Sequence, residues 1–371
     1  MKCKPLKDVA QIIMGQSPDS SSYNEVGEGL PFFQGNADFG VMYPSERIWC
    51  NQPKKIANEN DILISVRAPI GALNYANKKC CIGRGLAAIT VNNPVERNYI
   101  FHLLKAKNAE LNRKGTGSTF KAIGKNVLED IPVPIVSSEI QLHITRLMDI
   151  TESIISKRKN ELKYYDELIK ARFVEMFDFS NCSYGTFGND TDFVDYRGKT
   201  PKLSETGNIR MVNAKSVGKG VFKEVNEYIT EEIYNEWMHR GFGYPGDVLF
   251  VTEGHTFGNT CLVPDHLKKF ALGQRVITIK GHENVVDNVF LCAYMQLDQF
   301  MQDIIVYRTG GTAQGIRSKD LVKVKIPLPD YKKQKMFSNF AKQVDKSKVE
   351  VQKSLEQTQL LFDSLMQQYF G

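Results

Sequence analysis

A long stretch with helical spacing of its apolar residues constrains this chain more than any other feature. Residues 138–177 contain neither Gly nor Pro, and their apolar side chains recur every three or four positions, which is the period of an α-helix. At about 1.5 Å per residue this helix is roughly 60 Å long, and Ser138 with Gln141 predicts a capping box at its start. The apolar residues are Ile140, Ile144, Leu147, Ile154, Ile155, Leu162, Tyr165, Leu168, Ile169, Phe173 and Met176.

A second stretch of the same kind lies between Asp330 and Phe370. Each stretch follows a Pro-containing junction, Ile131-Pro132-Val133-Pro134 in one case and Ile326-Pro327-Leu328-Pro329 in the other. A single apolar seam on a long charged helix requires one long partner. We therefore predict that the two helices pair as an antiparallel coiled coil, and that outward residues, including Phe173 and Met176, could dock partners.

The segments outside the helices are also copies of each other. The order of the matched segments is the same in both copies, with an offset of 183 residues for Gly15 with Gly198 and of 195 residues for Ile131 with Ile326. One unit of about 180 to 190 residues therefore occurs twice, as self-similarity at a fixed period indicates. The matched pairs include 15–18 with 198–201, 30–37 with 209–214, 60–65 with 246–251, 89–91 with 277–279, and 116–119 with 309–312.

Each copy combines short apolar runs with helices. The runs are bounded by Gly, Asn and Pro, which is typical of strands in a turn-rich sheet. The predicted strands are 62–66, 86–91, 248–252 and 275–279, and the predicted short helices are 97–111 and 286–306. The predicted fold class is α+β, with two duplicated mixed α/β domains separated by the two long helices. The predicted division is 1–137, 138–177, 178–330 and 331–371.

The charge of the chain is distributed unevenly between the copies. The net charge is +6, but Lys and Arg outnumber Asp and Glu by 17 to 12 in residues 1–137 and fall short by 17 to 19 in residues 178–330. A uniformly basic coat is therefore excluded, and any nucleic-acid contact must come from a local face.

Cysteine usage and hydropathy point to an intracellular protein without a metal centre. The seven Cys form no CxxC pair and the six His form no HExxH motif, so neither zinc nor disulfides are expected. The Cys80-Cys81 pair is interpreted as packing rather than redox chemistry. No apolar run reaches membrane-spanning length, and the first residues lack the apolar stretch of a signal peptide. We expect a cytoplasmic protein with no membrane contact.

The sequence contains no catalytic motif with the residue spacing that the motif requires. Gly124-Lys125 and Gly198-Lys199-Thr200 lack the glycine that a phosphate-binding loop requires five positions earlier. Gly83-Arg84-Gly85 lacks the third glycine of a dinucleotide fingerprint, and no Gly-x-Ser-x-Gly elbow occurs. We therefore expect a non-catalytic chain, with no cofactor of its own.

What remains is a duplicated set of polar and basic residues beside turns. Amide side chains can bond base edges, and Arg or Lys can bond phosphate or guanine, while backbone N–H groups of a loop can bind phosphate. For each residue alone, an ordinary turn or a solvated face is the competing interpretation. The candidate DNA-binding residues are Gln34, Asn36, Arg67, Arg84, Ser118 and Lys121 in the first copy and Asn213, Lys215, Gln274, Arg275, Arg308 and Arg317 in the second.

These features together resemble one family, the specificity subunits of type I restriction-modification systems. The resemblance covers the whole chain. It depends on the duplicated layout, the Gly83-Arg84-Gly85-Leu86-Ala87 run, the Ile-Pro-x-Pro junctions, and Gln141 and Gln334 near the starts of the long helices. The strand motifs Asn60-Asp61-Ile62-Leu63-Ile64 and Gly246-Asp247-Val248-Leu249-Phe250 occur in the same order in each copy.

The resemblance implies a role within a larger assembly. Residues 1–137 and 178–330 would be target-recognition domains, each reading one part of a split double-stranded DNA site, and the long helices would fix the gap and bind two modification subunits. Those subunits would use S-adenosylmethionine, and restriction subunits would use ATP and Mg. The acidic balance of the second copy departs from this expectation for DNA binding.

Two other classes of function remain open. A coiled-coil scaffold with two protein-binding domains fits the same composition, and it predicts no salt-dependent DNA affinity. An enzyme with an unrecognised site is the other alternative, although a combined methylation and restriction enzyme would need the methyltransferase motifs that are missing.

Overall fold

The computed structural model of the chain describes residues 2–117, 121–196, 200–308 and 314–371. These residues divide into two units. Unit 1 is built from Met1–Lys159 and Lys353–Gly371, and unit 2 from Asn160–Gln352.

The first part of the chain contains short strands followed by short helices. The strands are β1 (Cys3–Pro5), β2 (Gln11–Met14), β3 (Tyr23–Asn24), β4 (Leu30–Phe33), β5 (Trp49–Cys50), β6 (Ile56–Ala57), β7 (Ile62–Ser65), β8 (Leu73–Tyr75), β9 (Cys80–Ile82), β10 (Leu86–Thr90) and β11 (Pro132–Pro134). The helices are α1 (Pro94–Ala106), α2 (Asn108–Lys114) and α3 (Lys125–Glu129), and the long helix α4 (Ser138–Met176) follows.

The second part repeats this order. Its strands are β12 (Ser183–Thr186), β13 (Thr191–Asp195), β14 (Ile209–Val212), β15 (Tyr228–Ile229), β16 (Val248–Val251), β17 (Thr260–Leu262), β18 (Phe270–Leu272), β19 (Val276–Gly281) and β20 (Lys325–Leu328). Its helices are α5 (Phe187–Asp190), α6 (Glu231–Trp237), α7 (Asn288–Tyr294), α8 (Asp298–Ile305) and α9 (Ser318–Leu321), and the long helix α10 (Tyr331–Phe370) ends the chain.

The central sheets of the two units have the same topology. In unit 1 the antiparallel order is β2-β10-β7-β8, and in unit 2 it is β13-β19-β16-β17. β7 and β16 are buried along their whole length, because they lie inside the sheet and apolar residues cover both faces. A second sheet, β3-β5-β4-β9-β6 in unit 1 and β15-β14-β18 in unit 2, contains one parallel pair in each case: β4 with β9 and β14 with β18.

Each unit also buries one part of each long helix. In unit 1, Ile144 and Met148 of α4 share an apolar core with Phe362 and Phe370 of α10. In unit 2, Phe173 of α4 shares the core with Phe337 and Ala341 of α10. The first half of α4 thus lies with the second half of α10, and the second half of α4 with the first half of α10.

Contacts inside unit 2 fix the direction of the helix pair. Lys348 Nζ lies 2.6 Å from Asp166 Oδ1. The Arg172 guanidinium lies 5.8 Å from the centre of the Phe340 ring, and the Phe173 and Phe337 ring centres are 5.1 Å apart. Residue numbers rise along α4 while those of the partners fall along α10, so the helices are antiparallel. The predicted fold class is confirmed.

Four local predictions are wrong. The helix expected at 97–111 is split into α1 and α2, and the one expected at 286–306 is split into α7 and α8. At the first break, Asn108 donates a hydrogen bond of 3.0 Å to the Gly71 carbonyl, a tertiary contact that helical periodicity does not register. The cap of α4 is Ser137 rather than Ser138, because Ile140 donates its N–H to Ser137 Oγ. Phe173 points into the core instead of outward, with 2% of its surface exposed.

Two further observations concern the cysteines and the helices. Cys80 and Cys81 are buried in β9, and burial raises the pKa of each thiol to about 12, as their interpretation as packing residues predicts. Within the described ranges, no helix combines the length and the apolar character that crossing a membrane would require.

Candidate nucleic-acid interface

The described candidate residues of unit 1 lie near one end of the central sheet, in loops that flank β2, β7 and β10 and in the loop after β4 of the second sheet. β10 pairs with β2 and β7 so that Ala87 faces Met14 and Leu86 faces Ser65. In this antiparallel register the loops after β2 and β7 and the loop before β10 emerge at the same end of the sheet. We call this surface the loop end of unit 1. It comprises 15–18, 34–36, 66–69, 83–85 and 121–122.

Arg84 is held in a turn whose backbone is bonded on both sides. The Gly83 and Gly85 N–H groups donate to the carbonyls of Phe33 and Gln34 at 2.8 and 3.1 Å, and the Arg84 N–H donates to Ser17 Oγ at 3.3 Å. A Cβ on Gly85 would lie 2.5 Å from the Gln34 carbonyl oxygen, so only glycine allows this close approach. The turn is thereby fixed while the Arg84 side chain stays exposed.

An open concavity of about 470 Å³ lies beside this turn. Gln34 and Arg84 form its polar part, and Ser17 Oγ donates to Gln34 Oε1 at 3.0 Å. Its apolar wall contains Phe32, on which Tyr23 stacks with ring centres 4.7 Å apart. Burial raises the pKa of the Tyr23 hydroxyl, and that hydroxyl donates to the Pro18 carbonyl at 2.9 Å. Ile48 completes the lining.

Arg67 and Lys121 lie next to each other at the same loop end. The backbone of Arg67 pairs with Ala122, and the Ala68 N–H donates to the Lys121 carbonyl at 3.0 Å. Both side chains are exposed. Among the described residues, no carboxylate lies within ion-pair distance of Arg67, Arg84 or Lys121. Asn36 begins a short 3-10 helix, Asn36–Asp38, two residues after Gln34, and Ser118 lies outside the described residues.

Unit 2 builds an equivalent loop end with matching backbone hydrogen bonds. Gly273 donates to Val212 at 2.8 Å as Gly83 donates to Phe33. The Thr252 N–H donates to the Arg275 carbonyl at 3.0 Å, which matches the bond of 2.9 Å from Val66 to Gly85 in unit 1. The Gly254 N–H donates to the Gln314 carbonyl at 2.9 Å, which matches the bond from Ala68 to Lys121. These pairs place Gln274 at the position of Arg84, Asn213 at that of Gln34, and Glu253 at that of Arg67.

The loop end of unit 2 differs in that carboxylates already hold three of its candidate side chains, Asn213, Lys215 and Arg275. Glu227 accepts hydrogen bonds from the side chains of both Asn213 and Lys215, at 2.5 Å each. The hydrogen bond from Lys215 lowers the pKa of Glu227. Glu253 lies 3.2 Å from Arg275 Nε. These pairs explain why the acidic balance of this copy and its candidate DNA-binding residues coexist.

Arg317 and Arg308 occupy different places. Arg317 is exposed and follows Ile316, whose N–H donates to the Thr252 carbonyl at 2.9 Å, so its backbone reaches the loop end. Arg308 follows α8 and leads into 309–313, which lie outside the described residues. The described contacts do not bring Arg308 to the others.

Sequence reasoning missed the residues that orient the candidates. Ser17 bonds both Gln34 and Arg84, and its equivalent Thr200 donates to Gln274 Oε1 at 3.3 Å. The repeated segments 15–18 and 198–201 carried a signal for this pair. Glu227 and Glu253 had none, because their pairing depends on contacts between distant strands and loops.

The family model for the type I restriction modification DNA specificity domain matches residues 1–164 and again 191–359. The putative type I restriction enzyme MjaX specificity subunit of Methanocaldococcus jannaschii is 43% identical over 161 residues. That match spans 43% of this chain and 38% of the relative's own length.

Two other similarities extend over more of the chain. The type I restriction enzyme MjaVIII specificity subunit of the same organism is 22% identical over 78% of this chain and 73% of its own length. The crystal structure of a type I restriction-modification S subunit from M. genitalium has a TM-score of 0.62 at 15% identity, covering 100% of this chain and 96% of that one, and this likeness shows the fold. Since the family model covers both halves, the chain belongs to the family of type I restriction-modification specificity subunits, with one specificity domain in each half.

Proposed function

We propose that this chain reads a two-part site on double-stranded DNA, with the loop end of each unit contacting one part. The observation that carries the proposal is the equivalence of the two loop ends. The two copies place amide and basic side chains at matching backbone positions, such as Gln34 with Asn213 and Arg84 with Gln274. Amide and guanidinium groups are the side chains best suited to base edges in the major groove.

The predicted contact residues divide into two roles under this proposal. Arg67 and Lys121, which are exposed and carry no ion pair among the described residues, are suited to phosphate contacts that position the protein. Gln34 and Arg84 line a concavity with an apolar wall, which suits a base edge better than a phosphate. Asn36, Asn213, Lys215, Gln274, Arg275 and Arg317 remain candidates at or near their loop ends.

The long helices are proposed as a spacer and as the docking surface for two modification subunits. Exposed apolar side chains on them support this role, because water-exposed apolar surface on a helix favours a protein partner. In unit 1 these include Ile140, Ile150 and Ile154, and in unit 2 Tyr164, Leu168 and Val174. The chain itself would be non-catalytic and cytoplasmic, with S-adenosylmethionine, ATP and Mg bound by the modification and restriction subunits.

Co-expression tests the proposal directly. The chain and the modification subunit of its own system are produced in a host that lacks adenine methylation, and the genomic DNA is sequenced for N6-methyladenine. A single two-part motif with a fixed gap is the expected result. If a competent complex forms and no methylated motif appears, the protein-binding scaffold becomes the better explanation.

Exchange of one unit tests whether each unit reads its own half-site. Residues 178–330 are replaced by the equivalent segment of another family member, and the methylated motif is determined again. Because base contacts specify sequence while phosphate contacts only position, we expect one half-site to change while the other half and the gap stay the same. A motif altered in both halves would contradict independent reading by the two units.

Release of the paired cations in unit 2 is expected to strengthen non-specific DNA binding. Glu227→Gln and Glu253→Gln remove the carboxylates that hold Lys215 and Arg275. The double variant should bind a DNA duplex without the site several-fold more tightly, with a salt slope steeper by about one to two phosphate contacts. Fluorescence anisotropy at several salt concentrations measures both quantities.

The matched control removes the same kind of charge elsewhere in unit 2. Glu283 is exposed and follows Gly281, the end of β19 opposite the loop end. Glu283→Gln should change the affinity only slightly, since its charge lies away from the proposed contact. Equal effects of the control and the double variant would show that net charge, rather than pairing at the loop end, limits binding.

A further inference from the structure

We propose, building on the DNA-reading function above, that positions 84 and 274 each select one base in their half-sites: Arg84 a guanine and Gln274 an adenine. The two residues occupy equivalent positions. Each follows a glycine that donates its N–H to a strand of the second sheet, Gly83 to Phe33 and Gly273 to Val212, both at 2.8 Å. A change of side chain at one fixed backbone position is the simplest way for two copies of one fold to read different bases.

The backbone that carries Arg84 is immobilised before any ligand arrives. Its own N–H and those of both neighbours are bonded, to Ser17 Oγ, Phe33 and Gln34. The guanidinium is therefore the part of this turn that remains available for a ligand. A preorganised group loses less conformational freedom on binding and discriminates better between partners.

The surroundings of Arg84 favour a base over a phosphate. It shares a concavity with Gln34, Tyr23 and Phe32, whereas the exposed Arg67 at the same loop end is not part of that lining. An arginine fork can donate two parallel hydrogen bonds to O6 and N7 of guanine, which no other base accepts in the same pattern. In the described part of the chain, Arg84 has no carboxylate partner with which guanine would have to compete.

Gln274 meets the different requirements of adenine. Adenine presents N7 as an acceptor and N6 as a donor, so a reader needs one donor and one acceptor side by side. Thr200 Oγ1 donates to Gln274 Oε1 at 3.3 Å, which orients the amide. Among the described residues, one lone pair on the oxygen and both hydrogens of the nitrogen then have no partner. Thr200 thus acts as a positioning residue, as Ser17 does for Arg84.

Methylome sequencing of variants tests the assignment. The chain is co-expressed with its modification subunit, and N6-methyladenine motifs are compared for the wild type and for Arg84→Gln, Arg84→Lys and Gln274→Arg. Arg84→Gln should lower the preference for guanine at one position of one half-site about tenfold to a hundredfold and shift it toward adenine. Gln274→Arg should do the converse in the other half-site, with the gap unchanged.

Two further variants separate base reading from charge. Arg84→Lys keeps the positive charge but not the fork, so it should lose most of the preference for guanine if Arg84 reads a base and keep the motif if it binds phosphate. Arg67→Gln removes the same charge at the same loop end, and it should lower methylation uniformly across sequences without altering the motif. Thermal melting of each purified variant shows whether it folds.

The outcomes distinguish this assignment from the proposed function. A wild-type two-part motif that contains no guanine in one half and no adenine in the other overturns the assignment while leaving the DNA-reading role intact. The same holds if folded Arg84→Gln and Arg84→Lys complexes methylate the unaltered motif more slowly. Absence of any motif for the competent wild-type complex overturns both.

Discussion

A seven-residue insertion into each long helix is expected to lengthen the gap in the recognised DNA site by about three base pairs and to abolish methylation of the original motif. Seven residues add about 10 Å of helix, and one base pair adds about 3.4 Å of DNA. A full heptad also keeps the apolar seam in phase. The inserts repeat 153–159 after Lys159 and 346–352 after Gln352, where unit 1 and unit 2 divide, and they include the buried Ile155 and Val351.

The single insertions serve as controls for the matched pair. With only α4 or only α10 lengthened, the helix contacts of unit 1 and those of unit 2, such as Asp166 with Lys348, cannot all keep their register. Assembly should therefore fail rather than shift the gap. Methylome sequencing reads the gap of the double insertion directly. An unchanged gap in a folded, active complex would refute the helices as the spacer.

Replacing Phe173 with Ala should lower the free energy of unfolding of unit 2 by about 3 to 5 kcal/mol. The Phe173 ring is buried and lies within 4.9 to 6.1 Å of the rings of Phe177, Phe179, Phe290 and Phe337. Its loss leaves a cavity inside a cluster that joins α4, α7 and α10. Because domains are stable by about 5 to 15 kcal/mol in total, unit 2 should then unfold at a much lower urea concentration.

Tryptophan fluorescence can follow the unfolding of unit 2 alone. The chain has two tryptophans, Trp49 and Trp237, of which Trp237 belongs to unit 2 and donates its indole N–H to the Leu272 carbonyl at 2.9 Å. In a Trp49→Phe background, urea unfolding followed by fluorescence therefore reports on unit 2. The control Val174→Ala alters the adjacent exposed residue and should change stability by no more than about 0.5 kcal/mol. Similar losses for both variants would contradict the packing account.

Periodicity and self-comparison predicted the larger elements well. The long helices were expected at 138–177 and 331–371 and occur as Ser138–Met176 and Tyr331–Phe370, since a 3.6-residue repeat over ten turns leaves little alternative. The strand predictions at 62–66 and 248–252 correspond to Ile62–Ser65 and Val248–Val251. The short helices were harder to predict, because a break such as that at Asn108 depends on a contact with the turn at Gly71.

The sequence predicted which residue types form the candidate site, and only the structure shows how they come together. Gln34 and Arg84 were selected because amides and guanidinium groups beside turns can contact bases, yet 50 positions separate them in the sequence. Only the register of β10 against β2 and β7 and the pairing of β4 with β9 bring them to one concavity. Their orientation by Ser17, and the holding of Lys215 by Glu227, are side-chain contacts that no periodic pattern encodes.

The sequence by itself determined the duplication, the fold class, the antiparallel pairing of the helices and the family, because these depend on repeated patterns along the chain. The tertiary structure decided which polar residues meet, which cations are already neutralised by carboxylates, and that Phe173 points inward. Those outcomes depend on contacts between residues far apart in sequence, such as Glu253 with Arg275, and are settled only when strand register places the loops together.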